Sequence, residues 1–181
     1  MNSNTRAQKI KLMVFDVDGV LTNNQIIFGP DGEAMKVFHS QDGLGMAAAC
    51  KIGLKTAIIT GRESEMVRRR CSELNVSDIR QGSMDKTAHL KELAEKYQLS
   101  YEEIGYVGDD LNDLAVLKQV GLACAVANAV PEVKAAAHYT SSREGGRGAV
   151  REIIELVLKA QGKWDKLVEM YSNPGRVETR Q

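Results

Sequence analysis

Apolar and polar positions along this chain fall into two recurring patterns. Short β-prone runs at Leu12–Phe15, Leu54–Ile59, Glu103–Val107 and Leu122–Val126 read as buried strands. Between them lie stretches whose apolar residues recur at helical spacing. Ser64–Leu74 places Val67, Cys71 and Leu74 on one face, and Asp85–Tyr97 turns Leu90, Leu93 and Ala94 inward. Ala149–Lys159 does the same with Val150, Ile153, Ile154, Val157 and Leu158. A small-residue helix over 44–51, a helix over Leu111–Lys118, a short helix after Pro131 and a minor strand over 77–81 complete the alternation. Two further runs, Gln25–Gly29 and Glu33–Phe38, flank Pro30-Asp31-Gly32 and predict a hairpin. Strand and helix alternate with short connections, which predicts an α/β fold with a doubly wound parallel sheet.

The expected organisation is one domain over residues 1–162, with the hairpin at about 24–38 and no insertion long enough for a separate cap domain. The Ser141–Gly148 segment is a glycine-rich loop. A tail over 163–181 carries Trp164, Leu167, Val168 and Met170 before turning polar.

Charge narrows the function class. Lys plus Arg and Asp plus Glu are equal at 24 each among 181 residues, which gives no support for a nucleic-acid partner. No apolar run approaches the roughly 20 residues that span a bilayer, and the first residues lack the apolar segment of a secretion signal. Cys50, Cys71 and Cys124 are widely spaced among apolar neighbours, as expected of thiols in a reducing cytoplasm.

The chemistry concentrates where predicted strands end. Asp16-Val17-Asp18-Gly19 follows the first strand, at the edge where open α/β sheets bind ligands. Two carboxylates about 4 Å apart repel by roughly 4 kcal/mol at an effective dielectric near 20. A hard cation such as Mg²⁺ removes that cost, although an Asp-Gly turn explains the same residues without any ligand. Thr60-Gly61 ends the second strand, where a hydroxyl and free backbone N–H groups suit phosphoryl oxygens. Lys86 opens a helix, where a cation gains nothing from the dipole and is free to face an anion. Asp109, Asp110 and Asp113 follow the third strand, where they equally suit a helix cap.

Taken in order, Asp16-Val-Asp-Gly-Val-Leu21, Ile58-Ile-Thr-Gly-Arg62, Lys86 and Gly108-Asp-Asp-x-x-Asp113 resemble the haloacid dehalogenase superfamily of phosphotransferases. The hairpin directly after the first motif, Asp42-Gly43, Gly145-Gly-Arg-Gly-Ala-Val-Arg-Glu152 and Ala160-Gln-Gly-Lys163 are similar to its capless 3-deoxy-D-manno-octulosonate 8-phosphate phosphatases. That resemblance implies a Mg²⁺-dependent hydrolysis of a sugar-acid phosphate in lipopolysaccharide synthesis. It implies Asp16 as nucleophile and Asp18 as general acid and base. It implies a metal held by Asp16, Asp18 (through its backbone carbonyl) and Asp109. Asp110 and Asp113 would orient ligands and cap the helix. Thr60, Gly61, Arg62 and Lys86 would hold the substrate with Asp18, joined by Asp42, Gly43 and Arg70. It also implies a homotetramer in which hairpins pack together and the tail covers a neighbour's site.

Other readings compete. The loop before Asp42-Gly43 reads Phe38-His39-Ser40-Gln41, without the arginine that in the resembling family suits a sugar-acid carboxylate. A nine-carbon 2-keto sugar acid 9-phosphate is therefore the alternative substrate. A receiver-type phosphoacceptor domain shares the residue types but places its acidic pair on the first strand and its phosphoacceptor on the third. Gly43-x-Gly45-x-x-Ala48 imitates a dinucleotide fingerprint without a preceding buried strand. His39, His89 and His138 lack metal-ligand spacing, and Arg68-Arg69-Arg70 reads as a solvated helix face from which Arg70 reaches inward.

Overall fold

A computed structural model describes residues 2–82 and 84–173. Its centre is a six-stranded parallel sheet built from β1 (Leu12–Phe15), β4 (Lys55–Ile59), β5 (Asp78–Arg80), β6 (Ile104–Gly108), β7 (Leu122–Ala125) and β8 (Tyr139–Thr140). The spatial order is β5-β4-β1-β6-β7-β8. Every residue of β1, β6 and β7 is buried. Both faces of the sheet are therefore covered, as a parallel sheet requires. The chain winds from β1 outward through β4 to β5, then returns to β6 on the other side. That reversal opens a crevice at the carboxyl end of β1.

The helices form two groups. On one side α1 (Ser3–Ala7), α2 (Ser40–Lys51), α7 (Ala149–Ala160) and α8 (Trp164–Ser172) pack together. On the other, α4 (Lys86–Tyr97), α5 (Leu114–Leu117) and α6 (Pro131–Ala136) pack together. α3 (Glu65–Glu73) connects β4 to β5 and buries Val67 and Cys71. The predicted apolar stripe of α7 is buried along its whole length. Small residues let α2 approach it closely: a Cβ on Gly45 would stand 3.0 Å from Arg151 Cδ.

A separate two-stranded hairpin, β2 (Ile27–Gly29) and β3 (Gly32–Met35), follows the first motif. The helix expected over 44–51 begins earlier, at Ser40. The stretch expected as one helix from Leu111 is a 3₁₀ turn, Leu111–Asp113, followed by α5. The start of the tail is α8, which packs on its own chain: Leu167 is buried, and the Trp164 ring lies under Arg151 and Lys159. The rest of the expected tail, 174–181, lies outside the described residues. No helix among the described residues is long and apolar enough to cross a membrane.

Candidate active site

Three adjacent strands deliver the predicted residues to one edge. β1 lies between β4 and β6, so Asp16, Thr60 and Asp109 each stand just beyond the carboxyl end of neighbouring strands. Asp16 and Thr60 are buried, and so is Asp109. The Asp16 backbone N–H still belongs to the sheet, donating to the Val107 carbonyl at 3.0 Å. The Thr60 N–H donates to the Arg80 carbonyl at 2.9 Å. These backbone bonds fix where both side chains emerge.

Lys86 organises the centre. Asp85 caps α4 by accepting from the N–H groups of Thr87 and Ala88, which sets Lys86 on the first helical turn. Lys86 is 2% exposed, and from there its ammonium donates to Asp16 Oδ2 at 2.6 Å and to Asp113 Oδ1 at 2.8 Å. Asp16 Oδ1 accepts from the Val17 N–H at 2.7 Å, so both oxygens of this carboxylate are held. Asp113 is the scaffold of the loop. Its Oδ1 also accepts from the Tyr106 hydroxyl at 2.7 Å, and its Oδ2 from the Asp109 and Asp110 N–H groups at 2.9 and 3.3 Å. Tyr106 is fully buried, and its role was invisible in the strand pattern.

Oxygens of Asp16, Asp109 and Asp113 lie within 4.8 Å of one another, all buried. Three carboxylates face one lysine. Burial first, and then Asp113, push the Asp16 carboxyl up to about 6 despite Lys86. Burial, Asp16 and Asp113 push Asp109 up to about 8. Burial alone would lower Lys86, but Asp16 and Asp113 outweigh it and raise it. With Asp113 spent on four donors, Asp16 and Asp109 are the oxygens left for a hard divalent cation, and their raised values mark uncompensated negative charge. Space enforces the same arrangement. Gly19 adopts φ +87°, and a Cβ there would lie 1.9 Å from Asp109 Oδ2. A Cβ on Gly145 would lie 1.7 Å from the Gly19 carbonyl oxygen, so the glycine-rich loop backs directly onto the first motif.

The Asp18 side chain is engaged by cations from the hairpin and from the end of β4. Its Oδ1 accepts from Lys36 Nζ at 2.5 Å, and Arg62 Nε lies 3.9 Å from Oδ2. Arg62 also stacks over the Phe28 ring of the hairpin. Asp42, Gly43 and Arg70 gather around one small pocket with Leu21, Phe38 and His39. The buried Asp42 carboxylate accepts from the N–H groups of Gly148 and Arg151 at 3.0 and 2.8 Å, tying α2 to the start of α7. Arg70 lies over Gly43 and pairs with Glu73 at 3.2 Å. A cavity of about 670 Å³ opens at the opposite edge of the sheet among Lys11, Ser100, Glu103 and Lys163, away from this chemistry.

A doubly wound sheet whose first strand presents a buried aspartate, facing a helix-borne lysine and a second acidic loop, defines a phosphoryl-transfer hydrolase of haloacid dehalogenase type. Residues 72–154 match the haloacid dehalogenase-like hydrolase family. The chain is 43% identical over 162 residues, 90% of its length and 86% of the relative's, to the 3-deoxy-D-manno-octulosonate 8-phosphate phosphatase KdsC of Salmonella typhi. It superposes with a TM-score of 0.90 at 42% identity on the Moraxella catarrhalis 3-deoxy-D-manno-octulosonate 8-phosphate phosphatase, solved with magnesium ion, phosphate ion and a KDO molecule. That match covers 93% of this chain and 97% of the other. A cobalt-bound Haemophilus influenzae deoxy-D-mannose-octulosonate 8-phosphate phosphatase gives 0.85 at 37% identity, over 87% and 92% of the two chains. The chain belongs to the 3-deoxy-D-manno-octulosonate 8-phosphate phosphatase family of haloacid dehalogenase-like hydrolases.

Proposed function

We propose that this chain is a Mg²⁺-dependent phosphatase that hydrolyses 3-deoxy-D-manno-octulosonate 8-phosphate to the free sugar acid and phosphate, serving lipopolysaccharide precursor synthesis. The observation that carries the reading is the Asp16–Lys86–Asp113 constellation with Asp109 beside it. Asp16 attacks phosphorus, its P–O bond forming as the ester P–O bond breaks, and an aspartyl phosphate results. Asp18 gives a proton to the departing alkoxide, then takes one from the water that attacks the aspartyl phosphate and releases Asp16. Lys86 has three N–H donors; two are committed to Asp16 and Asp113, and the third serves a phosphoryl oxygen, as do the Thr60 hydroxyl and the N–H of Gly61. Mg²⁺, held by Asp16, Asp109 and the Asp18 carbonyl, offsets the repulsion between two anions and the charge of the transferred group. Arg62, on the hairpin side, contacts the sugar acid.

The working form we propose is a cytoplasmic homotetramer. Ile26, Ile27, Phe28, Met35 and Val37 are exposed on the hairpin, which is an apolar surface suited to copies of itself. Cys50, Cys71 and Cys124 are free thiols, in keeping with a reducing compartment. Steady-state kinetics with Mg²⁺ on a panel of sugar-acid phosphates tests the substrate. The eight-carbon 8-phosphate should give the highest kcat/KM; a higher value for a nine-carbon 9-phosphate would reassign it.

A further inference from the structure

Lys36 lies just past β3, and its side chain is only 2% exposed. Its ammonium reaches back to Asp18 Oδ1 at 2.5 Å and stands 3.0 Å from Glu33 Oε1. Glu33 is itself anchored, its other oxygen accepting from the Ser64 hydroxyl at the cap of α3. Ser64 is fixed in turn by its N–H, which donates to Gln81 Oε1 at 3.0 Å. A line of contacts thus runs from α3 through the hairpin to Asp18. Burying such a lysine costs desolvation that an apolar side chain would avoid, so the pair is poorly explained as a source of stability. What it does supply is orientation. Asp18 Oδ1 is occupied, whereas no hydrogen bond among the described residues reaches Oδ2, from which Arg62 Nε stands 3.9 Å.

We propose that Lys36 is a positioning residue for Asp18: it holds Oδ1 and so makes Oδ2 the oxygen that exchanges the proton. This rests on the acid and base role proposed above for Asp18. In the first half-reaction the Oδ2–H bond breaks as an O–H bond forms on the leaving alkoxide. In the second, a water O–H bond breaks, Oδ2–H is restored, and the water oxygen bonds phosphorus as the Asp16–phosphorus bond breaks. Lys36 keeps its proton throughout. The hairpin is therefore part of the catalytic geometry of its own subunit.

Leaving-group dependence tests this. kcat/KM reports every step through release of the first product, and protonation matters more the more basic the leaving group. A series of aryl phosphates, from p-nitrophenyl to phenyl phosphate, varies that basicity with little change in shape. With Mg²⁺ present, the wild type should show a shallow fall of kcat/KM with basicity. Lys36→Met should steepen it, losing at least about tenfold more on phenyl than on p-nitrophenyl phosphate. Lys36→Arg should restore part of the difference. Glu33→Gln disturbs the same hairpin but leaves Lys36 on Asp18, so its slope should stay near the wild type. Equal losses on all esters in Lys36→Met, or no loss, would overturn the proposal. A loss confined to octulosonate 8-phosphate would overturn it too, making Lys36 a contact for the sugar carboxylate. Asp18→Asn separates the two levels. It should steepen the slope most; if it does not, the acid role of Asp18 fails and the Lys36 proposal falls with it.

Discussion

Three buried carboxylates around a single lysine make charge the most sensitive property of this site. Asp16 and Asp109 sit above their ordinary value of 3.8, at about 6 and about 8, because of burial and the neighbouring carboxylates, Asp113 beside Asp16 and both Asp16 and Asp113 beside Asp109. Between those limits the folded chain keeps protons that the unfolded chain has released. Metal-free stability attributable to the pair is therefore highest below about pH 4 and falls as pH rises to about 8. A divalent cation competes with the same protons, so Mg²⁺ should raise the melting temperature little near about pH 5 and most near about pH 8. Calorimetry with and without Mg²⁺ reads this difference; an equal shift at both pH values would contradict the assignment of the cation to these oxygens. Lys86→Ala leaves Asp16 and Asp113 facing each other in a buried setting. It should cost up to about 3–5 kcal/mol in chemical denaturation and lower kcat/KM at least about a hundredfold. Lost stability with retained turnover would make Lys86 a packing residue only.

Asp42 shows how a motif residue can serve the scaffold. It sits in the first turn of α2, and its carboxylate accepts two N–H groups at the start of α7, where the helix dipole also favours negative charge. Asp42→Asn weakens that arrangement and should cost about 1–3 kcal/mol while leaving KM within about twofold; a raised KM at unchanged melting temperature would return Asp42 to the substrate. The strands and the order of the motifs were legible because burial on both faces and the requirements of phosphoryl transfer restrict residue type strongly. Lys36 and Tyr106 were not legible. Each acts through a partner brought near only by the fold, and a lysine beyond a hairpin or a tyrosine in a core strand is ordinary in sequence. The early start of α2 at Ser40 was hidden because His39, Ser40 and Gln41 carry no apolar periodicity. β8 escaped because its two residues are too short to leave a pattern.

Assembly and chemistry meet at the hairpin, which carries Lys36 inward and Phe28, 66% exposed, outward. Light scattering should give about four times the 19.9 kDa chain mass. Phe28→Asp should lower that mass by placing charge in the apolar contact; a monomeric wild type at micromolar concentration would remove the tetramer. The central claim, covalent transfer through Asp16, is open to a direct chemical test. The enzyme is mixed with Mg²⁺ and octulosonate 8-phosphate, quenched during turnover and reduced with borohydride, which converts an acyl phosphate to an alcohol. Mass spectrometry of the digested chain should then find homoserine in place of aspartate at position 16, dependent on substrate and absent from Asp16→Asn, which should also lose at least about a thousandfold in kcat. Reduction at another residue, or near-normal turnover in Asp16→Asn, would contradict the account.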